Sequence, residues 1–309
     1  MKRKGFSLIE LLVVIGILTV LVGLTLPAVQ STRDSAARAA CQDRLRQVGV
    51  ALHNYHSAHN KFPANGGYVN DKIRSATPDQ VLSWMVNLLP YIEQSELYSR
   101  AAAACKTEPR AHLDPPHTGI AVPIVMYTCP SDARLTKAHV TPKGRTVAFS
   151  SYIGVAGSSI GPSLIRQPDG SMRYAPGVFD LERTIGLTEV TDGTSNTLMV
   201  AERPPPASLQ AGEWYQNGWI MERFGGPSGV MTYGTIRIVA EDPCGGGVPY
   251  GPGRLDNPCD RNHYWSLHRG GANFAFADGS IRFLPYSVDT TVMAALSTRQ
   301  SGEVVTLPD

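Results

Sequence analysis

Residues 4–29 read KGFSLIELLVVIGILTVLVGLTLPAV, and this stretch decides the layout of the chain. From Leu11 to Val29 it carries no charged side chain over nineteen residues. As a helix rising ~1.5 Å per residue the run is roughly 28 Å long, which matches the hydrocarbon core of a bilayer. Lys2, Arg3 and Lys4 precede it, so the positive-inside bias predicts a cytoplasmic N-terminus. Everything beyond the run, all five cysteines included, then falls outside the cytoplasmic membrane. An ordinary secretory signal has the same charged and apolar regions. Two features oppose that reading: the run ends LTLPAVQST without an A-x-A cleavage site, and Glu10 interrupts its entry. A carboxylate there is costly unless paired, which marks it as functional; the bland alternative has it snorkelling to the interface of a monomeric anchor.

The rest of the 309 residues is ordinary in charge and rich in turns. Hydrophobic residues make up 42%, enough for a sizeable core, and 17% charge is too low for a disordered chain. Thirty glycines and 23 prolines exclude a simple helix bundle. The formal net charge of +2 comes from 28 basic and 26 acidic residues; without the three leading cations it is −1, so there is no electrostatic footprint for nucleic acid.

Lys4-Gly5-Phe6-Ser7-Leu8-Ile9-Glu10 resembles the processing signal of type IV prepilins and type II secretion pseudopilins. The resemblance implies that a prepilin peptidase cuts the Gly5–Phe6 bond and that Phe6 becomes the N-methylated terminus. It also implies that Glu10 is the glutamate at the fifth mature position and that Pro27 is a helix-bending proline. Physically, cleavage removes the three cations and leaves an amine at the bilayer edge, which could pair with Glu10 of a neighbouring subunit.

The helical pattern continues outside the membrane. Cys41, Leu45, Val48, Leu52 and Tyr55 recur at spacings of 4, 3, 4 and 3, an apolar stripe at helical period that needs a globular domain to cover it. Lys61-Phe62-Pro63 and Asn65-Gly66-Gly67 end it. CQDRLRQVGVALHNYHSAHNKFP is similar to the start of a large family of pilin-like proteins of unassigned function, abundant in planctomycete bacteria. LLPYIEQSELY, YTCPSD, SYIGVAG, TDGTSNTLMVAE and the H-x9-D-G pattern of His268, Asp278 and Gly279 extend that likeness over nearly the whole chain.

The expected fold is α+β and type IV pilin-like: a long N-terminal helix packed on a predominantly antiparallel β ectodomain with long loops. The divisions are a leader at 1–5, a transmembrane helix at 6–30, its amphipathic continuation at 31–60, and an extracytoplasmic domain at 61–309. Thr77, Pro78 and Gln80 predict a capped helix carrying Val81, Trp84, Met85, Leu88 and Leu89 up to Pro90. Strands are expected at 122–127, 146–155, 197–201 and 235–239. Asp278-Gly279 reads as a two-residue hairpin turn, which pairs Phe276 with Ile281 and Phe274 with Phe283. Over that hairpin His268 and Asp278 lie too far apart to share a metal; both Asp278 and Gly279 are expected to be structural, and His268 to fix the preceding loop.

Candidate chemistry is thin. His53, His56 and His59 lack an identifiable further ligand and read as surface residues. The DGTSN run at 192–196 reads as a turn, since it lacks the surroundings of a nucleophile elbow. Asp256 and Asp260 match no EF-hand spacing. Five cysteines allow at most two bridges, whose connectivity spacing alone does not fix. Cys244–Cys259, flanking a glycine-rich loop, is favoured first; Cys41–Cys129, both within family-like motifs, comes second and leaves Cys105 over.

The expected function is a pilin-like or pseudopilin-like membrane-anchored subunit, not an enzyme, without cofactor or metal. Its expected partners are the prepilin peptidase and related pilin-like subunits. A membrane-anchored extracytoplasmic protein that binds a glycan or another solute is the alternative.

Overall fold

The structure, a computed structural model, describes residues 8–66, 76–141, 144–158, 164–166, 172–179, 184–209, 211–216, 230–233, 244, 249–303 and 305. The sequence's apolar run and its amphipathic stripe form one helix, α1 (Leu8–His59), 52 residues long and roughly 78 Å from end to end. Its first half is exposed throughout; burial begins only at Cys41 and takes in Leu45, Val48, Gly49, Ala51 and Leu52. Thr19, Thr25 and Thr32 turn their hydroxyls back onto the carbonyls of Ile15, Leu21 and Ala28 at 2.7–2.9 Å. The apolar half therefore presents no unsatisfied threonine hydroxyl to its surroundings. Pro27 lies inside the helix without ending it. The end comes at Asn60, whose left-handed backbone (φ 56°) donates to the His56 carbonyl at 2.7 Å.

The globular part carries α2 (Pro78–Val81), α3 (Trp84–Asn87), α4 (Ser95–Thr107) and α5 (Thr290–Leu296). Its strands are β1 (His139–Val140), β2 (Thr146–Val147), β3 (Tyr152–Ser158), β4 (Leu164–Arg166), β5 (Met172–Pro176), β6 (Leu198–Glu202), β7 (Val230–Tyr233), β8 (Gly271–Phe276) and β9 (Ile281–Pro285). β1 and β2 form a separate ribbon. The main sheet runs β4-β5-β3-β6-β8-β9, antiparallel throughout, with β7 added parallel to β3. This is the α+β, mostly antiparallel, pilin-like layout.

The sheet is covered on both faces. Tyr152, Met199, Val200, Ala275 and Ala277 belong to one core cluster with Leu45, Val48 and Leu52 of α1. Ile153, Val155, Leu198, Ala201, Phe274 and Phe276 belong to the other, with Met293 and Leu296 of α5. Met199 and Val200 are consecutive yet share the α1 face, because the β6–β8 ladder shifts register between Leu198 and Val200. The extra residue of that bulge also brings Glu202 onto the α1 side.

Four expectations need correction. The helix expected from Thr77 to Pro90 breaks at Leu82, which is extended and bridges Gln216, while Ser83 restarts the chain by accepting from the Met85 N–H. A tertiary strand contact overrides the local helical signal there. Residues 122–127 end in a short 3-10 turn, Val125–Tyr127, rather than a strand. The strand expected at 146–155 is divided, because Ser150 turns its hydroxyl to the Tyr127 and Tyr152 carbonyls between β2 and β3. The hairpin pairs Phe274 with Arg282 and Ala275 with Ile281, one residue off the expected register. Its loop has three residues, Ala277-Asp278-Gly279, closed by the Phe276 N–H on the Ser280 carbonyl at 2.9 Å, with Gly279 at φ 84°. The segment expected to be a strand at 235–239 lies outside the described residues.

Burial disfavours the charged form of four histidines. His117 is fully buried, with Nε2 at 2.6 Å from the Glu108 carbonyl and Nδ1 at 3.0 Å from the Tyr215 hydroxyl. Burial, the largest cause in each case, pushes the imidazoles of His53, His112, His117 and His263 below their ordinary value. Below about 6.5 the unfolded chain then binds more protons than the folded one, so stability is complete above that pH and is lost as pH falls through it. Glu108, held at about 2 chiefly by its hydrogen bond with Arg110, contributes only in stronger acid. The urea midpoint is expected to fall between about pH 7.5 and about pH 5.5, and to fall less in His117→Gln. A midpoint constant over that interval would contradict the burial account.

Candidate functional site

Chemistry-bearing residues collect where α1 first enters the globular part. Cys41 of α1 is bonded to Cys129, with Cα atoms 5.2 Å apart and a sequence separation of 88 residues. On a chain-entropy account such a loop closure is worth ~4–5 kcal/mol, against ~3 kcal/mol for a 15-residue loop. The second bridge, Cys244–Cys259, closes the shorter separation of 15. Cys105 is free and buried, its thiol pushed up to about 12 mainly by burial, which makes it an inert part of the core.

Beside the first bridge stand Glu202, at the end of β6, and His268, just before β8. His268 Nε2 lies 3.4 Å from Glu202 Oε1 and 3.6 Å from Cys129 Sγ. Glu202 is only 1% exposed, which is tolerable because both carboxylate oxygens are engaged. They accept from the Asn273 N–H at 2.7 Å and the Asn273 side-chain amide at 3.1 Å. Asn273 in turn accepts from Gln42 of α1 at 3.0 Å. Tyr152 donates to the Cys41 carbonyl at 3.1 Å, and its phenol is pushed well above its ordinary range, first by burial and then by the Glu202 charge. It therefore stays a donor at any physiological pH.

Cys41, Cys129, Glu202 and His268 place their potential ligand atoms within 4.8 Å of one another. With the sulfurs bonded to each other, neither is a thiolate, and two ligands alone make a poor metal site. Asp278 is not in this group. It sits at the far end of β8, where Oδ1 accepts from the Ser280 N–H at 2.8 Å. Its own N–H bonds the Thr194 carbonyl at 3.0 Å, so the turn at 192–196 supports the hairpin loop.

That loop rests on α1. A Cβ on Gly49 would lie 3.9 Å from the Gly279 carbonyl oxygen, and one on Gly279 would lie 3.2 Å from His53 Nε2. The His268 end of β8 thus meets α1 at Cys41 and Gln42, and the Asp278–Gly279 end meets it at Gly49 and His53. Those points are ~12–18 Å apart along the helix axis, and a six-residue strand spans ~20 Å. The ten-residue spacing from His268 to Asp278 is a measure of α1, not a coordination pattern.

The remaining candidates are dispersed. His56 Nε2 accepts from the Leu187 N–H at 3.1 Å, His59 Nε2 meets the Tyr91 hydroxyl at 3.1 Å, and His53 packs edge-on to Phe62. Asp256 pairs with Arg254 at 2.8 Å, and Asp260 accepts from the Arg254 N–H, Asn257 and His263. Glu10 lies in the first turn of α1, while Gly5 and Phe6 lie outside the described residues. Nothing in the local sequence marks Glu202 or Asn273 for this cluster, whereas Gly49 stands out as the sole glycine of residues 33–60.

Residues 30–291 match the family of proteins of unknown function DUF1559, and the chain belongs to it. Residues 1–26 match the prokaryotic N-terminal methylation motif, which indicates a type IV pilin-like subunit processed by a prepilin peptidase. Among the described residues, α1 is the one helix long and apolar enough to cross a membrane, and its apolar half, near the N-terminus, is the candidate anchor. No curated protein and no solved structure matches the chain.

The grip on α1 can be tested at Gly279. Gly279→Ala is expected to cost about 1–3 kcal/mol through its left-handed backbone, with a further loss from the His53 contact. Gly302, also left-handed at φ 78° but with open space around it, supplies the control. Thermal melts should show Gly279→Ala losing more than Gly302→Ala, with His53→Ala recovering part of the difference. Equal losses would mean that the loop does not bear on α1.

Proposed function

We propose that this DUF1559 member is a membrane-anchored, pilin-like subunit that assembles with related subunits through residues 6–60 and displays residues 61–309 outside the cytoplasmic membrane. The observation that carries the reading is the division of α1. Its processing motif leads straight into a half-helix that its own globular part leaves exposed, from Leu8 to Ser35, whereas the second half is covered from Cys41 onward. A surface of that kind is stable only in lipid or against other apolar helices. The two disulfides support an oxidising, extracytoplasmic location for the globular part. The leading cations support a cytoplasmic N-terminus.

In this role the peptidase cuts Gly5–Phe6, the new amine is methylated, and Glu10 pairs with the amine of a neighbouring subunit, which sets the axial register. The cost of a carboxylate in hydrocarbon supplies the driving force. A pseudopilin-like place in a type II secretion-like complex or a surface filament is the assembly this implies. The role requires no catalytic group and no cofactor.

Intact mass and N-terminal sequencing of the protein from native membranes should show a chain that begins at methylated Phe6, and Gly5→Val should retain the leader. Glu10→Leu should insert normally but crosslink to neighbouring subunits far less than the unaltered chain. Equal crosslinking would sink the pairing, and a processed chain with no subunit neighbours would favour the anchored binding protein. A chain beginning near Ser31 would instead mean an ordinary signal peptide.

A further inference from the structure

A cavity of about 310 Å³ lies between the emerging part of α1 and the loop that carries His268. Its α1 wall runs from Pro27 to Arg38, and Ser131 and Leu267 to Arg269 close the other side. Its charged groups are Asp34, Arg38 and Arg269, and Gln30, Ser31, Ser35, Ser131 and His268 add further polar side chains to the lining. We propose that this cavity holds the phosphodiester headgroup of an outer-leaflet glycerophospholipid. The proposal rests on the membrane reading of α1 and adds a ligand to it.

Depth is the first argument. The uncharged run ends at Val29 and the first charges past it are Arg33 and Asp34. Along a helix, Val29 to Arg38 covers ~14 Å, and the headgroup layer is roughly 5–8 Å thick on each side of a bilayer. The cavity therefore begins at the hydrocarbon edge and passes through the phosphate plane. Pro27 and Leu267 supply apolar contact for the glycerol end, where an aqueous anion would find none.

Charge is the second. Among the arginine and carboxylate side chains of the lining, Arg38 and Arg269 against Asp34 leave one positive charge, which one phosphodiester neutralises. Arg38 stacks on the Phe283 ring at 4.7 Å and, among the described residues, pairs with no carboxylate. Arg269 reaches Asp34 only at 3.7 Å, with the two side chains 93% and 60% exposed, an ion pair of the kind that contributes little. It is free to turn toward a phosphate, and guanidinium forks suit phosphate oxygens. The serine hydroxyls supply further donors, and Asp34, once released, suits a headgroup amine.

The volume fits as well, since small-molecule sites begin near about 300 Å³. His268 forms the inner wall of the cavity while its Nε2 faces Glu202 and Cys129, so an occupied headgroup would sit directly over the disulfide that joins α1 to the globular part.

The test uses the full chain, reconstituted in nanodiscs of mixed phosphatidylethanolamine and phosphatidylglycerol and released for native mass spectrometry. Retention of one phospholipid per chain is expected, reduced about tenfold or more when Arg38→Gln and Arg269→Gln are combined, a change that corresponds to ~1.4 kcal/mol. Ser131→Trp, at an exposed rim position, should block retention without altering either guanidinium. Liposome flotation and a non-reducing peptide map of the Cys41–Cys129 bridge check anchoring and folding separately. Variants that float and keep the bridge yet retain as much lipid would overturn the proposal and leave the anchor reading intact. Displacement of the lipid by millimolar inorganic phosphate would overturn it in favour of a free-anion site. Failure of the unaltered chain to float would remove both.

Discussion

The contact between β8 and α1 organises this molecule. One strand meets the helix at both ends, through Glu202, His268 and Asn273 near Cys41 and Gln42, and through the Asp278–Gly279 loop at Gly49 and His53. Between those ends the small side chains Ala275 and Ala277 let the sheet approach Leu45, Val48 and Leu52. The rest follows from that grip. β6 and β3 extend the sheet from β8, α5 covers the opposite face, and the disulfide from Cys41 carries the attachment over to the turn that precedes Cys129.

A helix that is exposed for its first half and covered for its second needs a sharp boundary, and the polar cluster supplies it. Glu202 would be costly in an apolar core, yet every donor around it belongs to an element that touches α1 or the disulfide. Losing any one partner leaves a buried carboxylate underpaired, so the cluster tolerates one arrangement of helix and sheet and penalises a shift between them. That specificity suits a subunit whose exposed half-helix must emerge at a fixed position relative to its globular part.

Much of this was legible in the residues. The heptad-like stripe from Cys41 to Tyr55 became the buried face of α1, with Tyr55 half-buried at its end, because helical periodicity survives any tertiary context that buries one face. The hairpin was legible but its register was not. A two-residue turn at Asp278-Gly279 and a three-residue loop ending in a left-handed Gly279 have the same sequence, and the one-residue difference moves every β9 side chain to the other face. Thus Arg282 stacks over Phe276, and Ile281 joins the α1-facing core. The break at Leu82 and the division of the strand at Ser150 both depend on distant partners, Gln216 and Tyr127, which no local pattern reveals. Helix α4 buries Leu97, Ala101, Ala104 and Cys105, a face made largely of alanine and so only weakly marked in the pattern of apolar residues. Glu202 ends the apolar strand LMVAE, and a bulge rather than simple alternation puts it on the α1 face.

The most direct test of this account is hydrogen exchange on the full-length protein in detergent or nanodiscs, resolved to peptides of α1 and the β8–β9 hairpin. If the grip organises the fold, amides of residues 41–53 and 271–285 should open together, with one free energy near that of global unfolding. If residues 41–53 exchange well before the hairpin and β6, then α1 is only leaning on the sheet, and the two-point contact is not what holds the structure together.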